Sequence, residues 1–223
     1  MPLQRFAVLQ GHFATALLLA ASAFVGVAIA AASAPLVSGA EPPSKQSMVA
    51  ETSWFLKSVP LSADTWFTWR DHFVRIFFEP VASVDEWAFY RKMEDFALET
   101  AAKPGSPAVK RLESDPVYWA CLANAYLHKG ADVPPFDLAE KASRKGVQLG
   151  DPSGIASYRL AVVLLSQVET QSATSTADPV VESRLKEVEA LLSRVQQTVP
   201  NARLSHLRGR LEFVRGHVAV ACR

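Results

Sequence analysis

The side chains best suited to catalysis or metal binding are His12, His72, His128, His206, His217, Cys121 and Cys222. A metal centre needs three or four such ligands converging on one point, and a nucleophile needs a base within hydrogen-bond reach. The spacing offers neither. His206 and His217 fall on one helix face but about three turns apart, too far to share an ion. Asp71 and His72 are adjacent, and adjacent residues on a helix point in different directions. Glu94 with Asp95, and Glu187 with Glu189, read as solvated helix surface rather than as an acid and its base. No H-E-x-x-H, G-x-S-x-G, phosphate loop, C-x-x-C or dinucleotide fingerprint occurs. The expectation is therefore no catalytic residue, no metal and no cofactor, with each histidine at the surface or the edge of a core. Cys121 lies inside an apolar helical pattern and reads as a buried thiol; a bridge to Cys222 is the alternative.

Composition narrows the class further. The chain has 223 residues, 49% of them apolar and 20% charged, with a formal net charge of +1. Nothing in that balance attracts nucleic acid or an acidic partner to the whole molecule. Basic residues do gather at the carboxyl end, where Arg203, Arg208, Arg210, Arg215 and Arg223 face a single Glu212. They border the apolar residues Leu211, Phe213, Val214, Val218 and Val220, a combination suited to an acidic protein partner, to anionic lipid or to a solvated terminal helix. Exposed aromatics are not interleaved there at the density single-stranded nucleic acid requires, so none is expected as a ligand.

The first 40 residues stand apart. No Asp, Glu, Lys or Arg occurs between Phe6 and Ala40, and residues 13–34 form a predominantly apolar core. As a helix they would reach about 33 Å, enough for a bilayer core. Three fates fit: a retained single-pass anchor, a signal removed near Ala40, or an organelle presequence of mitochondrial type. With an anchor, Arg5 holds the short amino end inside and the carboxyl-terminal domain lies on the non-cytoplasmic side. Cleavage would make the protein secreted or periplasmic. Residues 41–50, beginning E-P-P-S-K-Q-S-M, read as a linker.

Residues 51–107 form an aromatic-rich helical hairpin. Asp64 is placed to cap a helix running to about Glu79, where Pro80 stops it. On it Trp66, Trp69, Phe73 and Phe77 share one face, either for a core or, with Trp54 and Phe55, for a membrane interface or a partner. Ser83 with Glu86 makes a capping box for the next helix, which carries Trp87, Phe89, Tyr90, Met93, Phe96 and Ala97. The run Lys103-Pro104-Gly105-Ser106-Pro107 breaks it.

Residues 108–223 carry internal similarity. In residues 115–130, Trp119, Leu122, Ala123 and Tyr126 have the spacing W-x₂-L-small-x₂-Y, with Gly130 seven residues after the small one. A small residue lets two helix backbones approach, large residues on either side fill the flanks, and glycine turns the chain back. Asp-Pro pairs at Asp115, Asp151 and Asp178 can each open a helix, and Asp137 with Glu140 offers another capping box before a helix ending at Gly150. Residues 155–168 are apolar on every side, as befits a helix with neighbours all round. Val181, Leu185, Val188, Leu192, Val195 and Val199 form a narrow seam, for a second helix of a hairpin or a short coiled coil. The Ser/Thr-rich residues 170–177 offer nothing to bury.

These residues resemble tetratricopeptide repeats. Lys141-Ala142, Lys145-Gly146, Leu149-Gly150-Asp151-Pro152 and Tyr158-Arg159-Leu160-Ala161 look like the Sel1-like subclass, with Gly146 where alanine is usual. Leu207, Gly209 and Gly216 supply a third match. Ala123, Ala161 and Gly209 are then equivalent, at spacings of about 38 and 48 residues against roughly 34 in a standard repeat. The hairpin of residues 51–107 would be a divergent repeat or cap, because Arg70 sits where a small residue belongs. The resemblance implies an all-α fold of antiparallel helical hairpins stacked as a short superhelix. It also implies a groove lined by first helices, with Asn124, His128, Arg159, Arg208 and Phe213 as candidate contacts. The function it implies is a non-enzymatic interaction scaffold or accessory subunit, tethered to a membrane through residues 13–34 or exported, holding one or more protein partners, a membrane complex among them. The alternatives are an enzyme with an unrecognised site between the aromatic helices and the repeats, and a lipid-interface protein.

Overall fold

A computed structural model of the chain describes residues 44–80, 83–128, 134–171 and 179–216. Every regular element among them is an α-helix: α1 Lys45–Ser58, α2 Trp66–Phe78, α3 Val84–Ala101, α4 Pro107–Leu112, α5 Pro116–His128, α6 Phe136–Gln148, α7 Ile155–Gln171, α8 Pro179–Arg194 and α9 Asn201–Val214. The chain is all-α over these residues. None of these helices is long and apolar enough to cross a membrane. The expectations for residues 13–34, the boundary at Ala40, Gly130, Asp178, Cys222, His12 and His217 fall outside the described residues.

The second half packs as antiparallel hairpins. Helix α5 pairs with α6, and α7 with α8; α6 also lies against α7 and α8 against α9, while α5, α7 and α9 lie side by side. The direction is fixed by particular contacts. A Cβ on Gly146, late in α6, would come within 3.0 Å of the Pro116 carbonyl at the start of α5 and of the Ala156 Cβ at the start of α7. Gly146 is thus the small residue through which three helices meet. A methyl group there would press on the backbone of α5 and on the Ala156 Cβ. Ala123 and Ala161 are fully buried, and Gly209 is half-buried. Helix α7 has buried residues on every side, including Ile155, Leu160, Val163, Leu164 and Val168, because α5, α6, α8 and α9 surround it. The seam of α8 faces α7: Val181, Leu185, Val188 and Leu192 are buried there.

Several helix starts differ from expectation. Helix α1 begins at Lys45, inside the segment read as a linker. Ser44 caps it by accepting from the Ser47 amide at 3.2 Å, and Met48, Thr52 and Phe55 form a buried stripe. Asp64 does not cap α2; its exposed carboxylate lies 3.6 Å from Arg111. Thr65 takes the cap position and turns its hydroxyl back, donating to the Pro60 carbonyl at 2.7 Å and accepting from the Ser62 amide at 2.9 Å. Ser83 caps α3 as expected, accepting from the Glu86 amide. Asp137 opens nothing, because α6 starts a residue earlier behind Pro135; Glu140 points instead to Arg144 and Gln167. Asp151 caps α7 from a distance, through a loop two residues longer than the simple Asp-Pro start. Its Oδ1 accepts from the Ser153 amide and its Oδ2 from the Ala156 amide at 2.8 Å. Helix α4 was hidden within the break of prolines and glycine. Ser106 caps it, and Val109 and Leu112 bury themselves.

Candidate functional site

Where the first helices lie side by side, the chain covers its own surface. Trp66, the first residue of α2, stacks edge-on against Tyr118 of α5, and its indole Nε1 donates to Asp115 at 2.6 Å. Phe77, near the end of α2, meets Tyr158 of α7, and its carbonyl accepts from Arg203 of α9 at 2.9 Å. Helix α2 therefore spans α5, α7 and α9 in turn. Helix α3 follows it: Thr100 bonds the Tyr118 hydroxyl, Glu94 accepts from Asn124, and Tyr90 lies near Arg159 and Arg203. Trp66, Trp69, Phe73, Phe77 and Phe89 are buried, so this hairpin is fixed by a large aromatic core. At about 1.5–3 kcal/mol per large apolar side chain, its release would cost an amount comparable to a typical domain's whole stability.

The aromatic stretch accordingly belongs to the interior. Phe55 is buried, and Phe67 and Phe78 pack against the core; Trp54 alone among the aromatics of that stretch is exposed. Beyond it, Trp87 on α3 is 68% exposed.

The residues expected in a first-helix groove are dispersed. Asn124 is buried under α3, held by Glu94. Arg159 is half-buried in the same seam, its guanidinium over the rings of Phe77 and Tyr158, with its Nε unbonded among the described residues. His128 is exposed at the end of α5, with Nδ1 2.9 Å from the Asn124 carbonyl. Arg208 is exposed on α9 and donates to Gln196, and Phe213 is 59% exposed farther along that helix. Asn124 and Arg159 come together in the seam; His128, Arg208 and Phe213 do not join them.

The arginines near the carboxyl end are tied inward. Arg210 forks onto Glu169 of α7, Arg215 reaches Glu189 and Glu212, and Arg203 lies over the Phe77 ring at 4.3 Å. They hold α9 to the body rather than offering a free basic border. Leu211 is buried, Phe213 is the large exposed apolar side chain among the described residues there, and Val218, Val220 and Arg223 fall outside them. Glu94, read as solvated, is buried instead, and Glu187 is half-buried in a two-pronged pair with Arg144.

His72 is fully buried, not at an edge. Its ring stacks on Phe55 at 4.9 Å, and Nε2 lies 2.8 Å from the Thr52 hydroxyl. That hydroxyl donates to the Met48 carbonyl, so Nε2–H is the donor to it, and Nδ1 accepts from Arg75 at 3.1 Å. The network needs a neutral ring, and burial pushes the His72 pKa below its usual value, opposed by Glu51. The charge pattern that signals this is Glu51, Thr52, His72 and Arg75, but only the crossing of α1 and α2 brings them together. Cys121 is a buried free thiol whose pKa burial drives upward, away from reactivity.

Two of the clefts among the described residues bear on function. One, of about 510 Å³, lies among Arg70, Asp71, Arg75, Asp115, Asp151 and Ser153. Burial raises the Asp115 carboxyl above its ordinary range, against the opposing bonds from Trp66 and Val117. A raised carboxyl in a cleft is what acid–base chemistry uses. Here, however, Oδ1 already accepts from the Val117 amide and Oδ2 from Trp66, and Asp151 is likewise spent on capping α7.

The other cleft, of about 850 Å³, lies along the α5–α6 hairpin, with Ala101 at the end of α3 and Tyr118 at its border. Its floor is Trp119, Leu122 and Tyr126 of α5; Leu138, 47% exposed, and Ala142 come from α6. Lys141 and Lys145 are exposed along its α6 edge and pair with no carboxylate among the described residues. The third cation of that edge, Arg144, is committed to Glu140 and Glu187. Glu113 lies on the opposite edge. Sequence reasoning had these residues in hand as a packing signature. It missed that a cleft remains beside them among the described residues, because it placed the preceding hairpin at that end of a stack.

No group of three His, Cys, Asp or Glu side chains fit for a metal ion occurs among the described residues. Comparison with known proteins gives no match to a family model, to a curated protein or to a solved structure.

Proposed function

We propose that this chain is a non-enzymatic interaction scaffold, a short stack of helical hairpins of tetratricopeptide or Sel1-like type that holds a protein partner. The packing of α5, α6, α7, α8 and α9, each second helix shared between two first helices, supports the stack. The observation that carries the reading is the α5–α6 cleft. It is an opening of about 850 Å³ with an apolar floor and with charges at its edges that have no partner among the described residues, in a molecule whose buried His72, Asp115 and Cys121 are each committed to structure. Such a cleft binds without chemistry. The face lined by first helices is a poor docking site, because α2 and α3 already fill it.

The apolar residues 13–34 would tether the scaffold to a membrane or direct its export, with the helical domain on the non-cytoplasmic side. Amino-terminal sequencing of the mature protein separates an anchor from a signal removed near Ala40.

The test compares the full chain with Leu138→Glu and with Lys141→Glu/Lys145→Glu, all at exposed positions. A partner retained by the native chain after solubilisation and lost by both variants, whose melting is unchanged, supports the reading. A native chain recovered alone as a stable monomer contradicts it.

A further inference from the structure

Resting on that reading, we infer that the α5–α6 cleft seats a single amphipathic helix from another protein, with an acidic flank lying along α6. The shape of the seat comes first. Trp119, Leu122 and Tyr126 are spaced three and four apart on α5; Leu138, Ala142 and Lys145 are spaced four and three apart on α6. Each set is one stripe of a helix, eight residues or about 10 Å long. Leu122 and Ala142, in the middle of the stripes, are nearly buried and close the floor, while half-buried Trp119 and Tyr126 and exposed Leu138 stand two turns apart at its walls, the spacing at which a third helix places its side chains. An extended strand, whose side chains repeat every two residues, would not match them.

Charge sets the chemistry and the orientation. Lys141 and Lys145 are one turn apart on the same edge, exposed and without a carboxylate partner among the described residues. Asp137 precedes them in the first turn of α6, where unbonded backbone amides already favour a negative charge. The uncompensated charge along the α6 edge is therefore positive. Acidic residues three or four apart on the occupant meet it. Across the cleft Glu113 is half-buried and unpaired among the described residues, so a basic or neutral polar residue suits the other flank. Such rim pairs contribute mainly to orientation and on-rate, while the apolar seam supplies affinity.

The experiment is selection by the full chain from a display library of helices with a fixed leucine seam and flanks randomised among Glu, Gln and Lys. Selected helices are expected to carry Glu on one flank. They should bind Lys141→Glu/Lys145→Glu at least tenfold more weakly and Leu138→Glu not measurably. Circular dichroism of the variants should match the native chain. Selection without flank preference, or binding indifferent to these variants, overturns the inference while leaving the scaffold reading standing. Self-association of the full chain that Leu138→Glu abolishes would assign the cleft to a second copy and equally overturn it. If the full chain retains no partner in the preceding test, the scaffold reading falls first.

Discussion

The indole Nε1 of Trp66 donates to Oδ2 of Asp115 at 2.6 Å, while Oδ1 of the same carboxylate accepts from the Val117 amide at 3.0 Å. One buried side chain thus caps α5 and pins the first turn of α2 onto it. Asp115→Ala removes both bonds and leaves a buried indole N–H without a partner; a cost of about 2–3 kcal/mol is expected in urea unfolding.

The same carboxylate has a signed pH dependence. Its folded pKa is raised by burial above the ordinary aspartate value. Its contribution is then fully present below the unfolded pKa and declines as pH rises through the folded one. Unfolding of the native chain and of Asp115→Asn, compared at pH 4 and pH 7, should show the larger gap at pH 4. A gap that widens toward pH 7 would contradict the burial argument.

His72 works in the opposite direction. Its folded pKa is lowered, so the neutral ring's contribution is present above the unfolded histidine pKa and is lost as pH falls toward the folded one. His72→Gln should flatten the part of the stability profile below about pH 6.5. The imidazole proton resonance of His72 should titrate below the ordinary histidine range as acid is added.

Two glycines separate backbone strain from crowding. Gly150 and Gly154 have φ of 76° and 77°. A Cβ on Gly150 would meet nothing, whereas one on Gly154 would come within 2.5 Å of Thr198 Oγ1. Gly150→Ala should cost about 1–2 kcal/mol, the left-handed penalty alone. Gly154→Ala should cost roughly 1–3 kcal/mol more, from overpacking between α7 and the turn after α8.

Arg203 ties α9 to α2 through the Phe77 carbonyl and ring. Arg203→Lys keeps the charge but loses the planar group that does both, and should recover less than half of the stability lost in Arg203→Ala. Hydrogen exchange in α9 should accelerate in both variants before that of α7.

Local signals carried much of this fold. The aromatic stripe of α2, the Ser83 cap, the all-round apolar α7 and the small residues Ala123 and Ala161 all lie in the structure as their periodicity requires. The failures have one physical cause: long-range choices between local options. Asp64 and Asp137 have the right chemistry to cap, but Thr65 and Pro135 take the position because the preceding turns close one residue later and two residues earlier. His72 and Glu94 look like surface residues until α1 and α5 cross over them. Most consequential, Trp66 and Phe77 signal a core helix without naming its partner. That they bridge α5, α7 and α9 is a matter of tertiary packing, and it decides which candidate contacts are buried and which cleft stays open.

Amide hydrogen exchange of the full chain, with and without a bound partner or a selected acidic helix, separates the two faces most directly. Docking in the α5–α6 cleft predicts new protection in residues 117–126 and 138–148 with α2 and α3 unchanged. Loss of protection in α2 and α3, with gains along the inner faces of α5, α7 and α9, would mean that the aromatic hairpin yields to the partner and that the cleft is not the site.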